Sequence, residues 1–167
     1  MVLNKKFVGY ALTIASTLML AACGGGDTDT DTTGTDTAVT DTAATGDLQD
    51  GTYTLVEKNL DDNGWRTEFS ITVVDGVITE SNYDNVNEAG ESKVDDADYQ
   101  AMMSDKTGVG PQDFIPALNE QLVDTQDPAE VEVVTGATHS SESFVQYAEQ
   151  LLDAAKEGNT ETIEIDN

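Results

Sequence analysis

Trp65-Arg66-Thr67-Glu68-Phe69-Ser70-Ile71-Thr72-Val73-Val74, followed by Asp75-Gly76 and then Val77-Ile78-Thr79-Glu80, decides the fold. Thr67, Phe69, Ile71 and Val73 fall on one side of an extended chain; Arg66, Glu68, Ser70 and Thr72 fall on the other. A period of two marks a strand buried on one face. Asp-Gly is a favoured pair for a tight hairpin turn, so Val77 to Val86 is expected to return as the antiparallel partner. One face of this sheet is expected to be wet or to cover a ligand.

Working outward, Gly51 to Lys58, with Tyr53 and Leu55 alternating among threonines, reads as a strand that precedes the hairpin. Beyond it the period changes. Asp95/Asp96 cap a helix running to Lys106, with Tyr99, Met102 and Met103 in its pattern and Gly108 as its stop. Gly110-Pro111 opens a second helix, whose stripe is Phe114, Ile115, Leu118 and Leu122 and whose end is Asp127-Pro128. Val131 to Val134 reads as a short strand. Phe144, Tyr147, Ala148, Leu151, Leu152 and Ala155 give a last helix over roughly Ser141 to Glu157, stopped by Gly158. Ile163 and Ile165 suggest one more edge strand. The expected fold is α+β: a small twisted, mostly antiparallel sheet with about three helices.

The 167 residues hold 33 Asp+Glu against 7 Lys+Arg, a formal net charge of −26. Nucleic acid is excluded as a partner, because contact with a phosphate backbone needs clustered basic residues. A single cysteine, Cys23, excludes an intramolecular disulfide, and a single histidine, His139, excludes a multi-histidine metal site. Two stretches imitate a calcium loop. Asp27, Asp29 and Asp31 are followed by Thr32 and Ala38 where Gly and Glu are required, and Asn59, Asp61, Asn63 and Gly64 are followed by Ser70 instead of the closing Glu. No metal site is expected.

The chain divides into three zones. Lys5 and Lys6, the apolar run from Phe7 to Leu20 and small residues before Cys23 describe a signal segment over 1–22. Leu20-Ala21-Ala22-Cys23 resembles the bacterial lipobox, which implies lipidation of Cys23 and attachment to the outer face of the cell membrane. Residues 24–47 hold nine Thr, six Asp and five Gly with no aromatic or basic residue. That composition cannot offset the entropy of ordering. The stretch is expected to be a disordered tether spanning roughly 27 Å. Residues 48–167 form the single domain.

The chemistry-bearing segment is Glu132-Val133-Val134-Thr135-Gly136-Ala137-Thr138-His139-Ser140-Ser141. It sets hydroxyls just before a helix N-terminus, where free backbone N–H groups and the helix dipole favour a phosphate. Gly136 and Ala137 leave room for another molecule. Threonine and serine before a helix also serve as plain N-caps, and geometry alone leaves both readings open. A serine hydrolase built on Ser140 or Ser141 lacks the Gly-x-Ser-x-Gly elbow and a positioned base.

Thr135-Gly136-Ala137-Thr138 resembles the flavinylation motif of the FMN-binding domain family. That family includes FMN-carrying subunits of sodium-pumping quinone reductases and surface flavoproteins of Gram-positive bacteria. Asp50-Gly51-Thr52-Tyr53, Asp61 to Gly76 and Lys106-Thr107-Gly108-Val109-Gly110-Pro111 extend the likeness across most of 50–157. The resemblance implies that Thr138 carries FMN as a phosphoester, supplied from FAD by a dedicated flavin transferase. Glu132 stands where the family motif usually has Asp. Thr135, Gly136, Ala137, His139, Ser140 and Ser141 would surround the phosphate and ribityl chain, and Arg66 is a candidate to pair with the phosphate. Trp65, Tyr53, Tyr83 and Phe114 are candidates to stack on the ring. Covalent attachment suits a domain with 27 acidic and 5 basic residues over 48–167, a poor reversible host for a dianion. The implied function is an electron carrier, with no catalytic residue of its own. Its electrons would come from a membrane quinone-linked dehydrogenase and leave to an extracellular acceptor. The alternative is a surface lipoprotein that binds a ligand or partner without flavin.

Overall fold

The computed structural model describes residues 48–167. The expectations for the signal segment, Cys23 and the tether lie outside those residues. β1 (Gly51–Glu57), β2 (Arg66–Val74) and β3 (Val77–Val86) pair antiparallel in sequence order. β4 (Ile163–Ile165) adds in parallel to the far side of β1, giving the order β3-β2-β1-β4. The hairpin turn has positive φ at both Asp75 (54°) and Gly76 (75°). That is the signature of the primed turn, whose twist matches the flanking strands. Thr67, Phe69, Ile71 and Val73 are all buried, as their alternation requires.

Of the three α-helices among the described residues, α1 (Ala97–Thr107) packs against α2 (Pro111–Thr125), while α2 and α3 (Thr138–Glu157) cover this apolar face. The Asp96 carboxylate accepts from Tyr99 N at 2.8 Å to start α1, and Gly108 ends it in the left-handed region at φ 86°. α2 packs on β3, and α3 packs on β1 and β2. Phe144 of α3 lies against Phe69 (ring centroids 4.8 Å apart) and Tyr83 (5.2 Å), and Phe69 meets Tyr83 edge-on at 5.3 Å. This aromatic triangle fixes the angle at which α3 crosses the sheet. Among the described residues no helix is long and apolar enough to cross a membrane.

Two expectations are corrected. Val131 to Val134 forms no strand. Two of its backbone N–H groups pair with side chains instead: Glu132 N donates to Gln121 Oε1 (2.7 Å) and Val134 N donates to Ser141 Oγ (3.1 Å). Those two residues hold it as a strap between α2 and α3, so no sheet edge is needed to satisfy it. The last helix begins at Thr138, three residues before Ser141, because the Ala137 carbonyl already accepts from Ser141 N at 2.9 Å.

Candidate functional site

The start of α3 differs from the starts of the other two helices. Asp96 caps α1, and the Asp113 carboxylate accepts from Gly110 N (2.8 Å) at the start of α2. The Gln100 and Gly110 donors hold the Asp113 carboxyl below its ordinary pKa, Gln100 having the larger effect. At α3 the N-cap is Ala137, which offers no side-chain acceptor, and the first turn contains no acidic residue. Among the described residues nothing accepts from the amides of Thr138, His139 and Ser140. Three unsatisfied N–H groups and the positive end of a 20-residue helix therefore point outward in a chain otherwise dense in carboxylates. The Thr138 side chain is exposed in that same turn.

The turn that delivers Thr138 is tightly specified. Gly136 has φ 92°, and a Cβ there would come within 2.7 Å of the Thr107 carbonyl oxygen and 2.9 Å of Val109 Cγ2. Only glycine fits both the dihedral and the approach. Ser141, wholly buried, donates to the Ala137 carbonyl (3.0 Å) while accepting from Val134 N. Its hydroxyl thus ties the strap to the helix and is committed to the fold. Glu132 and Thr135 are exposed on the strap and the turn that follows it, and Ala137 is buried beneath them.

One side of α3 forms the wall of an open cleft of about 470 Å³. His139, Ser140, Ser143 and Tyr147 line it from the helix. Across from them stand Trp65 and Tyr99, edge to face with centroids 5.7 Å apart, with Tyr83, Thr67 and Asn85 from the hairpin. Glu57 closes one end, its carboxylate accepting from Thr67 N (2.6 Å) and from Tyr147 OH (2.6 Å). Burial, followed by the neighbouring Glu57, raises the Tyr147 phenol above the usual tyrosine range. Burial pushes the Tyr83 phenol up to about 12.

Of the ring candidates, the cleft brings together Trp65 and Tyr83 and leaves Tyr53 and Phe114 outside. Both of the latter are buried in the core. Arg66 lies outside the lining too, ion-paired to Glu68 at 2.9 Å on the opposite face of β2. Sequence reasoning does not single out Lys93, Tyr99, Tyr147 or Glu57 as site residues. The two tyrosines are legible only as members of helical patterns, and Glu57 only as the end of a strand. A second hollow of about 420 Å³, lined in part by Gly76, Gln126, Asp127 and Lys156, includes none of the motif residues.

The sequence profile of the FMN-binding domain family matches residues 64–153, more than half of the chain. The chain belongs to the FMN-binding domain family. It is 35% identical over 116 residues to the 15 kDa lipoprotein of Treponema pallidum (strain Nichols), a match covering 70% of this chain and 82% of that protein. It is similar in structure to a Clostridium perfringens protein of known crystal structure. That likeness has a TM-score of 0.68 and 40% identity, covering 72% of this chain and 98% of that one.

In this FMN-binding domain the matched stretch carries Trp65, Lys93, Tyr99 and the whole turn from Glu132 to Ser141. The residues fit the cofactor. An uncapped, acid-free helix start offers three amide donors to a phosphate, and the adjoining cleft presents aromatic side chains to a planar ring.

Proposed function

We propose that the protein is a membrane-anchored flavoprotein that holds FMN through a phosphoester on Thr138 and carries electrons outside the cell membrane. The observation that carries this reading is the exposed Thr138 hydroxyl in a helix turn whose three amides are free and whose neighbours His139 and Ser140 line an aromatic cleft. The flavin supplies the redox chemistry. The chain's own part is to hold the phosphate at the start of α3, to enclose the ring and to set the charge around it.

Covalent retention answers a specific difficulty. Residues 48–167 carry 27 acidic against 5 basic side chains, so a freely dissociating dianion would be lost to dilution outside the cell. Esterification removes one negative charge and makes the flavin intramolecular. Anchoring through Cys23 is supported by Leu20-Ala21-Ala22-Cys23 and by the lipoprotein relative. The proposed partners are a flavin transferase for loading, a membrane quinone-linked dehydrogenase as donor and an extracellular acceptor.

The test uses membranes holding the full chain, co-expressed with a flavin transferase. Feeding the quinone pool with reductant should bleach the protein's flavin absorbance, and an added acceptor should restore it. Thr138→Ala should show neither signal. A loaded protein that stays oxidised while the quinone pool is reduced would overturn the carrier role.

A further inference from the structure

We propose that Lys93 sets the reduction potential of the bound flavin by placing its ammonium in the cleft, favouring the reduced, negatively charged ring; this rests on the reading of Thr138 as the attachment site. Five basic residues occur over 48–167. Lys58 pairs with Glu164 (3.2 Å), Arg66 with Glu68 (2.9 Å) and Lys156 with Asp153 (2.9 Å), all at the surface. Lys106 is exposed in the last turn of α1. Lys93 alone is buried, at 6% exposure, and it lines the cleft.

Its ammonium makes no hydrogen bond or ion pair among the described residues. It sits over the Tyr99 ring at 4.4 Å and the Trp65 ring at 5.2 Å. Burying a cation costs several kcal/mol. Cation–π contact with the two rings offsets part of that cost but supplies no opposite charge. Burial lowers the Lys93 pKa, while Asp61 and Asp84 oppose that shift from a distance. What the cleft lacks is an anion in contact with that ammonium. Uptake of two electrons and one proton leaves one negative charge on the pyrimidine side of an isoalloxazine, and a fixed cation in a partly desolvated cleft favours that state.

Lys93 is held for this role. It opens a 3₁₀ turn, Lys93–Asp95, whose cap Ser92 accepts from Val94 N at 3.1 Å and donates to Asp84. The turn follows β3 and precedes α1, so one short segment carries the cation to the Trp65–Tyr99 pair.

The experiment compares full-length wild type, Lys93→Met and Lys93→Arg, each loaded by a flavin transferase and checked for covalent flavin by mass. Absence of flavin from wild type would mark failure of the Thr138 reading, independently of any role for Lys93. In a redox titration at pH 7, Lys93→Met should lower the reduced-to-oxidised ratio at fixed potential by about tenfold, ~30 mV for a two-electron couple. Lys93→Arg should stay near wild type. A Lys93→Met midpoint equal to wild type overturns the proposal, whatever that variant does to thermal stability.

Should Lys93→Met fail to fold or load, wild type against Lys93→Arg decides alone. As the pH rises through the titration of the lysine, the arginine keeps its charge, so the wild-type midpoint should fall away from that of Lys93→Arg. Asp61 from the β1–β2 loop, Asp84 of β3, Tyr99 of α1, Glu57 of β1 and His139 of α3 are common to both proteins and cancel in the comparison. Parallel pH profiles overturn the proposal.

Discussion

Gly136 concentrates the requirements of the attachment turn in one residue. A methyl group added there meets the Thr107 carbonyl at 2.7 Å in a backbone conformation that side chains avoid. Gly136→Ala should therefore cost about 1–3 kcal/mol and, with Thr138 two residues on, reduce flavin loading severalfold. Thermal unfolding paired with the flavin-to-protein absorbance ratio checks both. Loading at the wild-type level in a destabilised variant would show that the transferase tolerates a displaced turn. The motif makes Gly136 and Thr138 legible as sequence. Lys93 is not, because a lone lysine between Ser92 and Val94 belongs to no periodic pattern. Its importance emerges only when Trp65 and Tyr99 are folded against it.

At the scale of elements, α2 does more than present an apolar stripe. β3 is an edge strand, and α2 and its C-cap satisfy that edge with side-chain amides. Asn119 accepts from Tyr83 N (2.8 Å) and donates to Tyr83 O (3.0 Å). Gln126 does the same for Ile78, at 2.7 and 2.8 Å. Gln121 serves the strap through Glu132. A protected edge is also a barrier to unwanted strand pairing. Asn119→Ala should leave both Tyr83 backbone groups unpaired and cost about 2–4 kcal/mol, measured by denaturant unfolding. A loss below about half a kcal/mol would mean that water replaces the amide. The hairpin is readable because alternation and Asp-Gly turn chemistry are local. The strap reads as a strand because Val131 to Val134 has the composition of one. What decides its state, Gln121 and Ser141, lies elsewhere in the chain, and polar residues on helices give no periodic signal of their backbone partners.

For the molecule as a whole, the core closes within residues 48–167: Leu48, Tyr53, Phe69, Phe114, Phe144 and Leu151 are all buried there. Composition assigns 24–47 no share in that core. Deleting 24–47 should leave the unfolding temperature of the domain unchanged while slowing electron delivery to bulky acceptors. A large fall in that temperature would show that the domain extends further toward Cys23. Cys23→Ser should shift the protein from the membrane fraction to the medium or leave it unprocessed, and a mutant that fractionates like wild type would remove the anchor.

The measurement that bears most directly on the central claim is a mass-spectrometric peptide map of the denatured protein after co-expression with a flavin transferase. Covalent attachment at Thr138 predicts FMN less one water on the peptide containing that residue, with fragmentation assigning it there, and no added mass in Thr138→Ala. Flavin on Thr135, Ser140 or Ser141, or no covalent flavin with an active transferase present, would contradict it.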